Sequence, residues 1–171
     1  MNTNAVKSAL VPVLLLLASC AASPPPAPSA GPPNASRVLE LVNEARARPR
    51  HCGGKRLESV PPLTRSAVLD GIAVAHARDM AGRGSMSHAG TDGSTPGERA
   101  TRAGYRWRTI GENVAYGQPS AERVVASWLD SPHHCENIMD PDFAEMGIGV
   151  AAAAPGKAGP YWSQVFGTPR P

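Results

Sequence analysis

Apolar and polar positions along the chain fall into three regimes. Ala9–Ala18 (ALVPVLLLLA) is apolar without a break, follows the positive Lys7, and is followed by small residues. That is the layout of a secretory signal over residues 1–19, and the run is too short to span a bilayer as a helix. Residues 21–33 (AASPPPAPSAGPP) show no helical or strand period. Proline lacks an N–H and fixes φ, so this stretch can build neither a helix nor a sheet ladder. It is expected to be an extended spacer, reaching about 40 Å at ~3.1 Å per residue. From Asn34 to Pro171 both periods appear, and the length fits one domain with one core.

Within that domain the spacing predicts a sequence of elements. Ser36 is expected to cap a helix running to about Arg48, with Val38, Leu41, Val42 and Ala45 on one face and Pro49 beyond its end. Residues 49–62 read as a loop. A second helix is predicted from Thr64 to Ala81, with Leu69, Ile72, Ala73, His76 and Met80 buried and Gly82 and Gly84 ending it. Ser85–Gly93 is rich in turn formers. Thr95-Pro96-Gly97-Glu98 has the form of a capping box, opening a short helix that ends near Gly104. Gly111-Glu112-Asn113 leads an extended stretch through Tyr116. Ser120 is expected to cap a helix carrying Val124, Val125, Trp128 and Leu129, and Ser131-Pro132 to start another short one. Strands at 146–152 and 161–166, separated by Pro155-Gly156 and Gly159, close the chain as an antiparallel pair. Helices with a closing sheet suggest an α+β domain.

Composition changes this picture in two places. The formal net charge is +3 with the arginines scattered, which argues against nucleic-acid binding. There are three cysteines. Leu17-Ala18-Ser19-Cys20 resembles the bacterial lipobox, which implies cleavage before Cys20 and lipid on its sulfur. The membrane is then a partner through that lipid. Ala21, which is not aspartate, favours the outer membrane if the envelope is Gram-negative. Outside the cytoplasm the two remaining thiols, Cys52 and Cys135, are expected to be bridged. Such a bridge closes a loop of roughly 80 residues and stabilises by about 4 kcal/mol. The alternative is that Cys135, beside His134, is a nucleophile or metal ligand.

Leu41-Val42-Asn43-Glu44-Ala45-Arg46, His76-Ala77-Arg78-Asp79-Met80-Ala81 and Ser87-His88 recur in a known order. So do Gly111-Glu112-Asn113-Val114-Ala115, Trp128-Leu129-Asp130-Ser131-Pro132 with His134, and Tyr161-Trp162-Ser163-Gln164-Val165-Phe166. Together they resemble the CAP superfamily (cysteine-rich secretory proteins, antigen 5 and pathogenesis-related 1 proteins), in its bacterial SCP-like branch. The resemblance covers nearly all of residues 36–168. It implies an α-β-α sandwich with a shallow cleft, lined in eukaryotic members by two histidines and two glutamates that can hold a divalent metal. The first histidine maps onto His88 and one glutamate onto Glu112. Ser131 and Tyr161 stand where the other two would be, and His134 is the expected third cleft residue.

His88 lies in a Gly- and Ser-rich loop rather than on an apolar face, which suits a site residue. Glu112 can satisfy loop N–H groups and also orient a histidine. His134 opens a short helix, whose dipole favours the neutral, metal-binding imidazole. His88, Glu112 and His134 could hold zinc with an open fourth position, although no HExxH helix presets two ligands. No GxSxG elbow occurs. His76, among alanines, reads as structural. Glu98 and Arg99 read as a capping-box residue and a surface partner. The expected function is a tethered, non-enzymatic module binding a lipid, peptide or glycan. The alternatives are a metal-dependent hydrolase of peptide or envelope polymers built on the same three residues, and a structural or host-facing interaction protein.

Overall fold

The structure is a computed structural model that describes Met1, residues 33–156 and residues 159–171. The signal, the lipobox with Cys20 and most of the proline spacer lie outside the described residues. None of the described helices is long and apolar enough to cross a membrane.

Among the described residues, five helices surround a four-stranded sheet. The helices are α1 (Pro33–Arg46), α2 (Ala67–Arg83), α3 (Pro96–Arg102), α4 (Ala121–Asp130) and α5 (Pro132–Ile138). A hairpin of β1 (Arg50–Cys52) and β2 (Lys55–Leu57) stands apart. The main sheet has the order β3 (Thr64–Arg65), β5 (Glu145–Ala151), β6 (Tyr161–Pro169), β4 (Trp107–Tyr116). All its pairings are antiparallel except β3 with β5.

Side chains alternate across the sheet, as the pleat requires. On β6, Trp162 and Phe166 join a core with Val38 and Val42 of α1, Val124 and Trp128 of α4, and Ile138 of α5. The intervening Val165 packs with Leu69 and Ala73 of α2 and Ala100 of α3. Tyr161 packs with Met80 and Val114. The sheet is therefore the middle layer of an α-β-α sandwich, with α1, α4 and α5 on one face and α2 and α3 on the other.

Helix α2 lies directly on β5 because two alternate positions there have no side chain. A Cβ at Gly147 would collide with the backbone of Leu69 and Asp70, and one at Gly149 with the backbone of Ala73 and Val74. The approach is fixed by Asp70, whose Oδ1 accepts from the Ile148 N–H at 2.9 Å. Gly149→Ala should therefore destabilise the domain by about 3 kcal/mol. Urea denaturation checks this, and a loss within 0.5 kcal/mol, the usual range for surface changes, would show that the helix can move away.

Several sequence expectations shift. Helix α1 begins at Pro33 rather than behind Ser36, and ends at Arg46. The 49–62 segment is not wholly loop, because it contains the β1–β2 hairpin. Helix α2 starts at Ala67, since Thr64 and Arg65 pair with Glu145 and Met146 instead. It passes through Gly82 and stops at Gly84, whose φ of 67° supplies the left-handed C-cap. Strand β4 begins at Trp107, four residues before Gly111, and β6 continues to Pro169. Cys52 and Cys135 are joined by a disulfide, with Cα atoms 5.4 Å apart. This removes Cys135 as a nucleophile or ligand.

Candidate functional site

The 85–95 loop carries His88, and polar contacts fix its path. His76 Nε2 of α2 donates to Ser87 O at 2.8 Å, and Arg83 Nη2 donates to Ala89 O at 2.8 Å. Asp79 Oδ2 accepts from the Thr91 N–H at 3.0 Å, and Asp92 Oδ1 from the Ser94 N–H at 3.0 Å. The capping box of α3 closes the segment, with Thr95 N donating to Glu98 Oε2 at 2.8 Å and Glu98 N to Thr95 Oγ1 at 3.3 Å.

Glu112 projects from β4 toward α2, with 1 % of its side chain exposed. His88 Nδ1 donates to its Oε1 at 2.9 Å. Arg99 Nη2 donates to Oε2 at 2.7 Å, and Ser163 Oγ to the same oxygen at 3.3 Å. A buried carboxylate needs this pairing to remain charged. A carboxylate only accepts, so His88 carries a proton on Nδ1, and its Nε2 has no hydrogen-bond partner among the described residues. The His88 side chain is 55 % exposed.

Arg99 is the residue that sequence reasoning missed. It is not a surface partner, since only 10 % of its side chain is exposed. Its Nη1 donates to His88 O at 3.0 Å and to Ser94 O at 2.8 Å, while Nη2 holds Glu112. One guanidinium thus fixes both the backbone of His88 and the carboxylate that orients its ring. No local signal marks it, because an arginine one turn into a short helix reads as solvated. His76 is buried as expected, and it also closes on the site, with Nε2 3.7 Å from Glu112 Oε1.

His134 arrives from the other face. Asn137 Nδ2 donates to Glu112 O at 3.3 Å and to Asn113 Oδ1 at 2.9 Å, and Asn113 Nδ2 donates to His134 O at 3.2 Å. These amides stitch α5 to the edge strand β4. Burial, and then the neighbouring His88 and His133, hold the His134 imidazole below its ordinary pKa. Among the described residues its ring makes no hydrogen bond to His88 or Glu112, and the two histidines are connected through Glu112, whose backbone carbonyl Asn137 of α5 holds. Burial likewise lowers the pKa of His76, against the attraction of Glu112.

These donors do not fit a metal ion. Among the described residues no three His, Cys, Asp or Glu side chains are grouped to hold one. Both Glu112 oxygens are already engaged, one of them by a guanidinium. Ser131 stands at the N-cap position of α5 without a side-chain capping bond, and Tyr161 packs against Tyr116; neither joins Glu112 and His88.

An α-β-α sandwich with an imidazole–carboxylate pair at one edge of its sheet is the domain that the sequence motifs led one to expect. Residues 39–166 match the cysteine-rich secretory protein family, CAP, and the chain belongs to that family. It is 29 % identical over 140 residues to the protein YkwD of Bacillus subtilis, across 82 % of this chain and 49 % of that one. An extracellular protein containing a SCP domain from Bacillus anthracis superposes with a TM-score of 0.66 at 25 % identity, across 78 % of this chain and 40 % of that one. An outer surface protein from Borrelia burgdorferi shares the fold, with a TM-score of 0.62 at 21 % identity, across 79 % of this chain and 89 % of that one. The chain therefore spans about half the length of YkwD and less than half of the Bacillus anthracis protein.

Proposed function

We propose that this chain is an exported lipoprotein, held to the cell envelope by lipid on Cys20, whose CAP domain binds a ligand without turning it over. The surface formed by His88, Glu112 and His134 receives that ligand, whose class is lipid, peptide or glycan. The observation that carries this reading is the state of Glu112. Its oxygens are committed to His88, Arg99 and Ser163, so it serves to orient an imidazole rather than to take a proton from water. What it presents is an oriented, half-exposed imidazole at His88, whose Nε2 is left to form a hydrogen bond with a ligand. Export agrees with the Cys52–Cys135 bridge, since disulfides persist outside the cytoplasm.

Two measurements test the two halves. Cells fed labelled palmitate should incorporate it into the wild-type chain, and Cys20→Ser should abolish incorporation and release the protein from the membrane fraction. Calorimetric titration with phospholipid vesicles, envelope peptides and soluble glycan fragments should give binding that weakens roughly tenfold in His88→Ala, the loss of one strong hydrogen bond. Mass spectrometry showing cleavage of any of these, lost in Glu112→Gln, would replace the binding reading with the hydrolytic one.

A further inference from the structure

Behind the Glu112–Arg99 contact, between α2, the 90–94 loop and α3, lies a cavity of about 400 Å³. Its wall includes His76, Asp79, Thr91, Asp92, Arg99 and Arg102. The charges on this wall are already paired. Asp92 meets Arg102 at 2.6 Å, Arg99 meets Glu112 at 2.7 Å, and Asp79 lies 3.9 Å from Arg83. A charged ligand would therefore face an opposing like charge as well as an attracting one. The wall suits an uncharged group that forms hydrogen bonds.

Three buried polar atoms on this wall lack a partner among the described residues, Ser94 Oγ and one each on His76 and Arg99, and they indicate where such a group belongs. The His76 side chain is fully buried. Its Nε2 donates to Ser87 O, so in the neutral ring Nδ1 is a bare lone pair. Among the described residues Nδ1 has no hydrogen-bond partner, and it faces Asp79 Oδ2 at 4.0 Å. Two acceptors thus face each other with no donor between them. Arg99 Nε, a donor on the same cavity wall, also has no partner among the described residues. Orphaned buried groups of this kind are uncommon and call for a missing partner.

That partner must donate twice on one side and accept on the other. Hydroxyl groups do both. A single water supplies two donors but takes up only about 30 Å³, while the cavity falls within the ~300–1,000 Å³ range of small-molecule sites. We infer that this cavity binds an uncharged saccharide, with neighbouring hydroxyls donating to Asp79 and His76 Nδ1 and a ring or hydroxyl oxygen accepting from Arg99 Nε. Asp79, 30 % exposed, stands beside Nδ1 at the mouth of the cavity. This site is separate from the His88 surface and shares only the Arg99 and His76 wall with it.

The test is a titration of the ¹⁵N-labelled full chain with N-acetylglucosamine, cellobiose and maltose at millimolar concentrations. Saturable shifts are expected at the Thr91, Asp92 and Ser94 amides and at Arg99 Nε–H with at least one of the sugars. Asp79→Ala should weaken binding roughly tenfold. Thr91→Val keeps the backbone bond to Asp79 and removes one hydroxyl of the cavity wall with the loop intact; it should weaken binding by a smaller factor. An absence of saturable shifts with all three sugars would mean that the cavity holds water only, and would overturn the inference. So would shifts confined to His88 and His134, which would assign sugar binding to the other surface. Equal or stronger effects from inorganic phosphate or putrescine would overturn the uncharged ligand class.

Discussion

Arg46→Met is expected to lose about 4 kcal/mol of folding stability, most of what a domain of this size has to spare. Arg46 lies at the end of α1, is 0 % exposed, and still carries a guanidinium. Its Nε donates to Pro61 O at 2.7 Å, Nη1 to Ile138 O at 2.7 Å and Asp140 O at 2.9 Å, and Nη2 to Phe143 O at 3.3 Å. Four carbonyls from two chain segments, Pro61 and residues 138–143, converge on one planar fork. Burial draws its pKa down to about 10, with Asp140 opposing, so the group stays charged at neutral pH. Methionine keeps the stem's packing but removes every donor, leaving buried carbonyls unsatisfied. Arg46→Lys should rescue little, because a single ammonium cannot copy the fork. Urea denaturation with an unchanged slope measures the effect. A loss below 1 kcal/mol in the methionine variant would mean that water takes over the four carbonyls.

The second large effect is covalent. Cys52→Ala with Cys135→Ala should lower stability by about 4 kcal/mol. The bridge joins residues 83 apart and ties the β1–β2 hairpin to α5. Both cysteines sit in the core, at 2 % and 0 % exposure. Reductant should shift the wild-type melting curve down toward that of the double variant and leave the variant unmoved. Equal stability of the oxidised wild type and the variant would contradict the prediction. The losses from Arg46 and from the bridge should not add, because both restrain α5, the bridge at its middle and Arg46 at its last residue.

Local chemistry made part of this legible in the sequence. Thr95 and Glu98 form the capping box that their spacing predicts, and Ser120 caps α4 through the Arg123 N–H. Strands β5 and β6 lie where alternation put them. What escaped was set by partners distant in the chain. Thr64 and Arg65 look like a helix start, but their backbone pairs with residues about 80 positions later. At the site, His88 and Glu112 do meet, which residue types and motif order suggested. Arg99 was misplaced because its position in a short helix says nothing of a carboxylate on the far strand. Gly147 and Gly149 were visible as glycines, but the backbone they admit belongs to α2, so their purpose appears only once the layers are assembled.

The layered sandwich also sets a direction. Helix α1 enters the domain at Pro33, and Arg37 in its first turns pairs with Glu122 of α4 at 2.9 Å. The chain ahead of Pro33 therefore joins on the α1–α4 side of the sheet, whereas the cavity between α2 and α3 opens on the opposite side. If the chain is held through Cys20 as proposed, a pull from Pro33 would turn the α1–α4 side toward the bilayer and aim that cavity away from it, as a lamp bracketed to a wall throws its light into the room.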